Sequence, residues 1–381
     1  MITKNNSNLL TVFYAAVGHL MMHMFAACYF IIVLAIEDDW KFSYDELINL
    51  WLVGSLLVGL GAIPSGWLSD RWSRSGMIAI MFLGLGISSI FCGLSYNKTN
   101  LMLNLSLLGL FCSIYHPAGI SWIVNTSQST GRALGFNNIF GGVGIGLGAL
   151  SSGLIIDMIS WHYAFIIPGI ISIIIGLLLI WHIQTKKISL ANIFSKKFND
   201  TPNKDQVIKI AIIMLVSITC MAFVYQILQS SLPKAIDLRL SNKMNLSTAD
   251  IGMIVSVIYI ISGLMNYLGG ILADNYSEKK IYLIGILGQG LLLLFIFNLS
   301  NYTLLFLSFF IVAFNSSILP AENLLLAKFS PQKHQSLVYG IKFIISFATA
   351  PIALFLIATS YSVTREFSYL YLSCGIIMLI L

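Results

Sequence analysis

Apolar residues run through this chain in blocks of about 20, the length that carries a helix across the hydrocarbon core of a bilayer. Short polar stretches separate the blocks. The pattern predicts twelve helices, at 10–36, 46–68, 77–95, 101–123, 133–157, 163–183, 208–232, 249–272, 281–299, 302–326, 337–360 and 366–381. The twelfth has 16 residues up to Leu381, short for a span. A transmembrane barrel would instead show segments of about ten residues with alternating polarity. The first block begins near Leu10 without a small-residue cleavage site, so it reads as a retained helix and not as a signal peptide. The expected class is an all-α membrane protein.

Composition leads the same way. Lys and Arg number 21 and Asp and Glu 15, together 9% of 381 residues, whereas a soluble chain carries roughly 25%. The hydrophobic fraction is 57% and the mean hydropathy +0.88. Neither a pair of soluble domains nor a disordered chain can be made from this composition. A net charge of +6 would suggest nucleic acid in a soluble protein, but here it follows from cations in cytoplasmic loops, and no nucleic-acid partner is expected. With the N-terminus placed inside, fourteen cations fall on the inner side, six on the outer side, and Lys342 lies within a helix. Both termini are therefore expected in the cytoplasm, in a bacterial-type inner membrane. The cysteines, Cys28, Cys92, Cys112, Cys220 and Cys374, lie inside predicted spans without C-x-x-C spacing; they read as small apolar residues, with no disulfide or metal cluster expected.

The longest connection, 184–207, holds Lys186, Lys187, Lys196, Lys197, Lys204 and Pro202. It reads as a basic cytoplasmic linker between a six-helix bundle at 1–183 and another at 208–381. The two halves echo one another. Gly66 to Asp70 matches Gly270 to Asp274 at an offset of 204, and His116-Pro117-Ala118 matches Leu319-Pro320-Ala321 at 203. Ala133-Leu134-Gly135 matches Val338-Tyr339-Gly340 at 205. A duplicated set of six helices is the mark of a carrier built from two pseudo-symmetric halves.

At 66–76 the chain reads Gly-Trp-Leu-Ser-Asp-Arg-Trp-Ser-Arg-Ser-Gly. This resembles the cytoplasmic loop signature of the major facilitator superfamily, G-x-L-x-D-R-x-G-R followed by a base. Gly66, Asp70, Arg71 and Arg74 match; Ser73 replaces the second glycine and Ser75 the final base. A weaker copy runs from Gly270 to Lys280 and includes Asp274. The resemblance implies twelve helices in the major facilitator fold. Within the superfamily, Gly18-His19 to His23, Tyr115-His116-Pro117 and Tyr339 to Phe343 resemble the fosmidomycin-resistance-like branch. The glycines from Gly141 to Gly153 resemble the antiporter motif of drug exporters, although Ala149 follows Gly148 where that motif has proline; tight helix packing selects the same residues.

Ionisable groups inside a bilayer are costly and mark functional sites by default. His19 and His23 share one helix face at i,i+4, a pattern suited to proton coupling, to a substrate contact or to a structural role. Zinc would need further ligands, and none is evident nearby in the sequence. Glu322 and Lys342 read as the only charges well inside the second-half spans, and so as an ion pair. Protonating Glu322 would open such a pair; a static bridge, or Lys342 binding an anion, is the alternative. His116, Tyr225 and Gln226 complete the substrate or proton candidates, since the resemblance implies a cavity lined by helices one, four, seven and ten. Gly66, Asp70, Arg71, Arg74 and Asp274 read as a gating latch, or more simply as charges that stop a helix at the interface. No cofactor, resident metal or enzymatic constellation is expected. The chain is expected to be a monomeric secondary transporter of a small polar or anionic solute, coupled to protons and directed to export. Proton-driven uptake and a non-transporting receptor are the alternatives.

Overall fold

The structure, a computed structural model, describes residues 4–126, 130–189, 204–329 and 335–381. Lys196, Lys197 and Pro202 of the predicted linker, and Lys333, lie outside the described residues. Helices run at α1 (Lys4–Trp40), α2 (Tyr44–Arg71), α3 (Arg74–Gly93), α4 (Lys98–Ile123), α5 (Thr130–Met158) and α6 (Trp161–Gln184). They continue with α7 (Lys204–Ile236), α8 (Thr248–Asn275), α9 (Glu278–Ile296), α10 (Tyr302–Leu326), α11 (Gln335–Thr364) and α12 (Ser368–Ile380). Eleven of these, among the described residues, are long and apolar enough to cross a membrane. The expected twelfth helix is present as α12, which has 13 residues, about 20 Å of rise against a core of about 30 Å.

Polar residues set where the helices start. The side chain of Ser73 accepts from the Gly76 amide at 3.0 Å, that of Asn97 from Asn100 at 2.8 Å, and that of Asn301 from Thr303 at 3.0 Å. Each satisfies an amide that the first helical turn leaves without a partner. The first of these accounts for the serine that replaces the motif glycine. Ser75, the other departure, donates to the Ser189 carbonyl at 3.0 Å and so ties the loop to the chain beyond α6.

Apolar side chains also cover the outside. On α6, Ile170, Ile174, Leu177, Leu178 and Trp181 are exposed at a spacing of three to four residues, a stripe that only a lipid environment accommodates. Between helices the contacts are made by small residues, because lipid tails give apolar side chains no reason to prefer protein. A Cβ on Gly54 would stand 2.7 Å from the Leu105 carbonyl oxygen, and one on Gly109 would collide with the Gly54 backbone, so α2 and α4 touch main chain to main chain.

The fold divides into two units, Met1–Ser195 with Ser247–Ser256, and Lys196–Leu246 with Val257–Leu381. The start of α8 belongs to the first unit because Gly252 abuts the Ala149 carbonyl and the Ala249 amide donates to Asp157 Oδ2 at 2.9 Å.

Candidate functional site

In the first unit, α1 and a wide turn of α4 bring three imidazoles together. His19 and His23 stand one helical turn apart, with ring centroids at 4.9 Å. His116 opens a π-helical turn, His116–Ile120, that accommodates Pro117. Its ring meets both others edge-on, at 5.5 Å from His19 and 5.6 Å from His23. The ligand nitrogens of the three lie within 4.8 Å of one another. This corrects the expectation that no further ligand stands near the α1 pair.

The surroundings orient His19. Its Nδ1 lies 2.8 Å from the backbone oxygen of Asn137. A carbonyl can only accept, and this contact is shorter than the 3.1 Å from Nδ1 to the donor-only side-chain nitrogen of Asn137, so Nδ1 is assigned the proton and Nε2 keeps its lone pair. The Tyr115 hydroxyl donates to Asn137 Oδ1 at 2.6 Å, and its ring stacks on His19 at 4.7 Å with planes 12° apart. Glycines leave the room required. A Cβ on Gly18 would stand 3.2 Å from the Tyr115 ring, and one on Gly141 3.0 Å from His19 Nε2 and 3.4 Å from His23. Gly144 and Gly148, next along α5, press on the α1 backbone at Leu20 and Met24. Of the glycine run that resembles an antiporter motif, Gly141, Gly144 and Gly148 thus pack on α1, and Gly153 packs on the start of α8.

In the second unit, Lys342 Nζ stands 2.6 Å from Glu322 Oε1, with both side chains buried (8% and 2% exposed). Lys342 also donates to Asn323 Oδ1 at 2.6 Å, and the Tyr282 hydroxyl donates to Glu322 Oε2 at 3.0 Å. Ser217 and Tyr282 are joined at 2.8 Å. Since the tyrosine proton is committed to the carboxylate, Ser217 donates to it. One chain thus runs from α7 through α9 and α10 to α11, with the carboxylate accepting from both sides.

The expected latch residues fall in two matching places. Gly66 packs against Pro117 (a Cβ would lie 3.2 Å from the ring), and Gly270 faces Pro320 at 4.0 Å, each inside its own unit. Arg74, buried, pairs with exposed Asp70 at 2.9 Å, while Arg71 lies over the Trp67 ring at 4.5 Å. Asp274 is exposed and makes no ion pair among the described residues. Tyr225 and Gln226 are half-buried, and Tyr225 meets Tyr259 edge-on at 6.3 Å. The structure brings neither of them to the ion pair.

One group was missed. α7 continues to Ile236 and turns on through Ser241, so Lys234, Asp237 and Arg239 join the charges of the second unit's spans. This corrects the expectation that Glu322 and Lys342 stand alone there. Arg239 grips Glu366 with Nε at 2.7 Å and Nη2 at 2.6 Å. It also donates to the carbonyls of Ile296 at 3.0 Å, Phe297 at 3.1 Å and Leu299 at 3.3 Å, closing the C-terminal end of α9. Glu366 lies between α11 and α12. Desolvation pushes its carboxyl up, but the Arg239 hydrogen bonds, the Phe367 amide and the guanidinium charge outweigh it and hold the group below the usual carboxylate range. In the sequence Arg239 was one outer-side cation among six, and no local pattern set it apart.

Three comparisons with known proteins bear on this architecture. Residues 144 long, 36% of this chain, are 32% identical to MdtD of Escherichia coli, whose name ties it to multidrug resistance, and cover 30% of that protein. A stretch of 141 residues is 27% identical to the niacin transporter NiaP of Acinetobacter baylyi, covering 32% of it. The chain therefore spans about a third of the length of the curated relatives it matches. Among solved structures, a bacterial homolog of the human lysosomal transporter Spinster, inward-facing and unoccupied, superposes with a TM-score of 0.75 at 15% identity over 98% of this chain and 95% of that one. A sulfate complex of a mutant peptide transporter POT gives 0.76 at 15% identity, over 100% and 98%. These two show the fold. The family description "Major Facilitator Superfamily" matches residues 15–246 and 214–381, and with the loop signature at Gly66–Arg74 and an all-helical membrane fold, this chain belongs to the Major Facilitator Superfamily.

Proposed function

We propose that this chain is a secondary transporter, not an enzyme, that moves a small polar or anionic organic solute across the inner membrane by alternating access. It acts as a monomer with both termini in the cytoplasm, is coupled to protons, and works in export. The observation that carries the reading is the Glu322–Lys342 pair with its tyrosine and serine. A charge buried in a span is tolerated when paired, and removing one partner costs about 3–5 kcal/mol. Protonating Glu322 removes the counter-charge of Lys342 and leaves Asn323 as its neutral partner. The pair is thus an element with two arrangements that a proton selects. His19, His23, His116, Tyr225 and Gln226 supply solute contacts in this reading, and Asp70, Arg71, Arg74 and Asp274, with Gly66 beside them, form the latch. The fosmidomycin-resistance-like branch fits the histidine fragments and favours export.

Uptake is the second reading. The observation in its favour is that Gly141, Gly144 and Gly148 of α5 pack on α1, a role that explains these glycines without an antiporter motif.

The test uses proteoliposomes holding a solute selected by its thermal stabilisation of the purified protein. Glu322→Gln should still exchange solute across the membrane yet lose its response to an imposed pH gradient. A variant whose flux keeps the full proton dependence of the wild type refutes coupling through Glu322.

A further inference from the structure

We infer that His19, His23 and His116 form a binding site for a divalent transition metal such as Zn2+ or Co2+, with a fourth coordination position open to an oxygen-donor anion. The donor set selects the metal class. Three imidazoles and, among the described residues, no carboxylate or thiolate in the group suit zinc, cobalt, nickel or copper, and are poor for magnesium or calcium.

The geometry is close to what such an ion needs. Tetrahedral Zn–N bonds of about 2.0–2.1 Å place ligand nitrogens about 3.3 Å apart. Here they lie within 4.8 Å, so closure needs roughly 1.5 Å of side-chain movement from rings at the ends of two rotatable bonds. His19 already has the second hydrogen bond that metal-binding imidazoles use: Nδ1–H donates to the Asn137 carbonyl and leaves Nε2 for the ion. Tyr115 holds Asn137 and the His19 ring from the other side. Gly141 leaves the space beside Nε2, where a Cβ would stand 3.0 Å away. The π-turn that presents His116 is a type of irregularity found often at functional sites.

Three protein ligands leave one position for an exchangeable group, as in catalytic zinc sites. Neutral imidazoles also leave the ion's two positive charges uncompensated within a span, where an unpaired charge is costly. The group completing the site is therefore an anion, a carboxylate of a small chelator or a hydroxide. In terms of the proposed solute contacts, an anionic solute would meet these three histidines through the open position of the ion. Metal binding itself is separate from the Glu322–Lys342 pair in the other unit and can be measured without any flux.

The experiment titrates Co2+ into the full chain, purified in detergent without a histidine tag, and follows visible absorption, with Zn2+ as competitor. One Co2+ per chain is expected, with tetrahedral intensity that shifts when acetate is added. His23→Gln and His116→Gln should each weaken binding by at least about 100-fold, and Gly141→Ala by about 10-fold, whereas His162→Ala leaves it unchanged. X-ray absorption on the Zn2+-loaded wild type, which depends on no variant, should show imidazole nitrogen around the metal. Wild-type binding no tighter than that of the triple glutamine variant overturns the inference, and so does a zinc shell made of oxygen alone.

Discussion

Replacing Arg239 by alanine removes the group that ties three elements of the second unit. Six donor contacts are lost: two to the Glu366 carboxylate, three to carbonyls at the end of α9 and one to the Ser368 hydroxyl. Breaking a buried ion pair by deleting one partner costs about 3–5 kcal/mol, because the remaining charge is left unpaired. Here the Arg239 side chain is 5% exposed and that of Glu366 32%, so solvent offsets part of the loss and about 3 kcal/mol is the working figure. At 2–4 °C per kcal/mol for a unit of this size, melting should fall on the order of 6–12 °C. Buried cysteines supply the assay. Cys28, Cys92, Cys112 and Cys374 are buried, so a thiol-reactive fluorophore reports unfolding. Acid gives a second readout. The folded carboxyl of Glu366 lies below its ordinary value of 4.5, so its stabilisation is fully present above that value and is lost as pH falls through the folded pKa. The wild type should lose melting temperature in that acid window more steeply than Glu366→Gln. In a double-mutant cycle, Arg239→Ala and Glu366→Gln together should cost clearly less than the sum of the two alone. Additive effects, or an Arg239→Ala protein melting within about 1 °C of wild type, would refute the clamp.

Four further outcomes follow from the geometry. Gly269→Ala should destabilise strongly, because its Cβ meets the Ser317 carbonyl, whereas Gly270→Ala, 4.0 Å from Pro320, should be neutral or gain up to about 1 kcal/mol of helix propensity; melts of the pair decide it. Ser73→Ala should cost about 1 kcal/mol through the lost cap of α3, and Ser73→Gly less, which the same thiol assay reads. Asp70→Asn should slow solute flux in proteoliposomes while leaving the melt nearly unchanged, since Asp70 is exposed; unaltered rates at every pH remove it from the gate. Lys342→Ala should destabilise more than the double replacement Lys342→Ala with Glu322→Gln, by about 2 kcal/mol or more; equal melts would mean that the pair does not hold two mutually dependent charges.

Much of the fold could be read from the sequence because bilayer thickness imposes one length on every span. The start of α8 was expected at 249 and lies at Thr248, and α5 was expected at 133–157 and runs Thr130–Met158. α7 ran past its expected end because Pro233 is carried inside the helix and does not stop it. Site residues were legible one by one, since a histidine or a lysine in an apolar block stands out. Their grouping was less so. His23 follows His19 by one turn, which sequence spacing reveals, but His116 reaches them only through the packing of α4 on α1 and a turn wider than helical periodicity allows for. Arg239 and Glu366 are 127 positions apart, in segments whose polarity marks them only as outer ends. Ser73 looked like a defect in the loop signature until its side chain was seen to cap a helix.

The wide turn at His116–Ile120 holds one residue more than a regular helix needs over the same rise. Deleting a single residue there would close it to ordinary geometry and leave both flanks where they are. A deletion elsewhere in α4 would swing everything beyond it by about 100° around the axis. Length differences among relatives in this helix should gather at that point, and a relative without the extra residue would present a different side chain to α1.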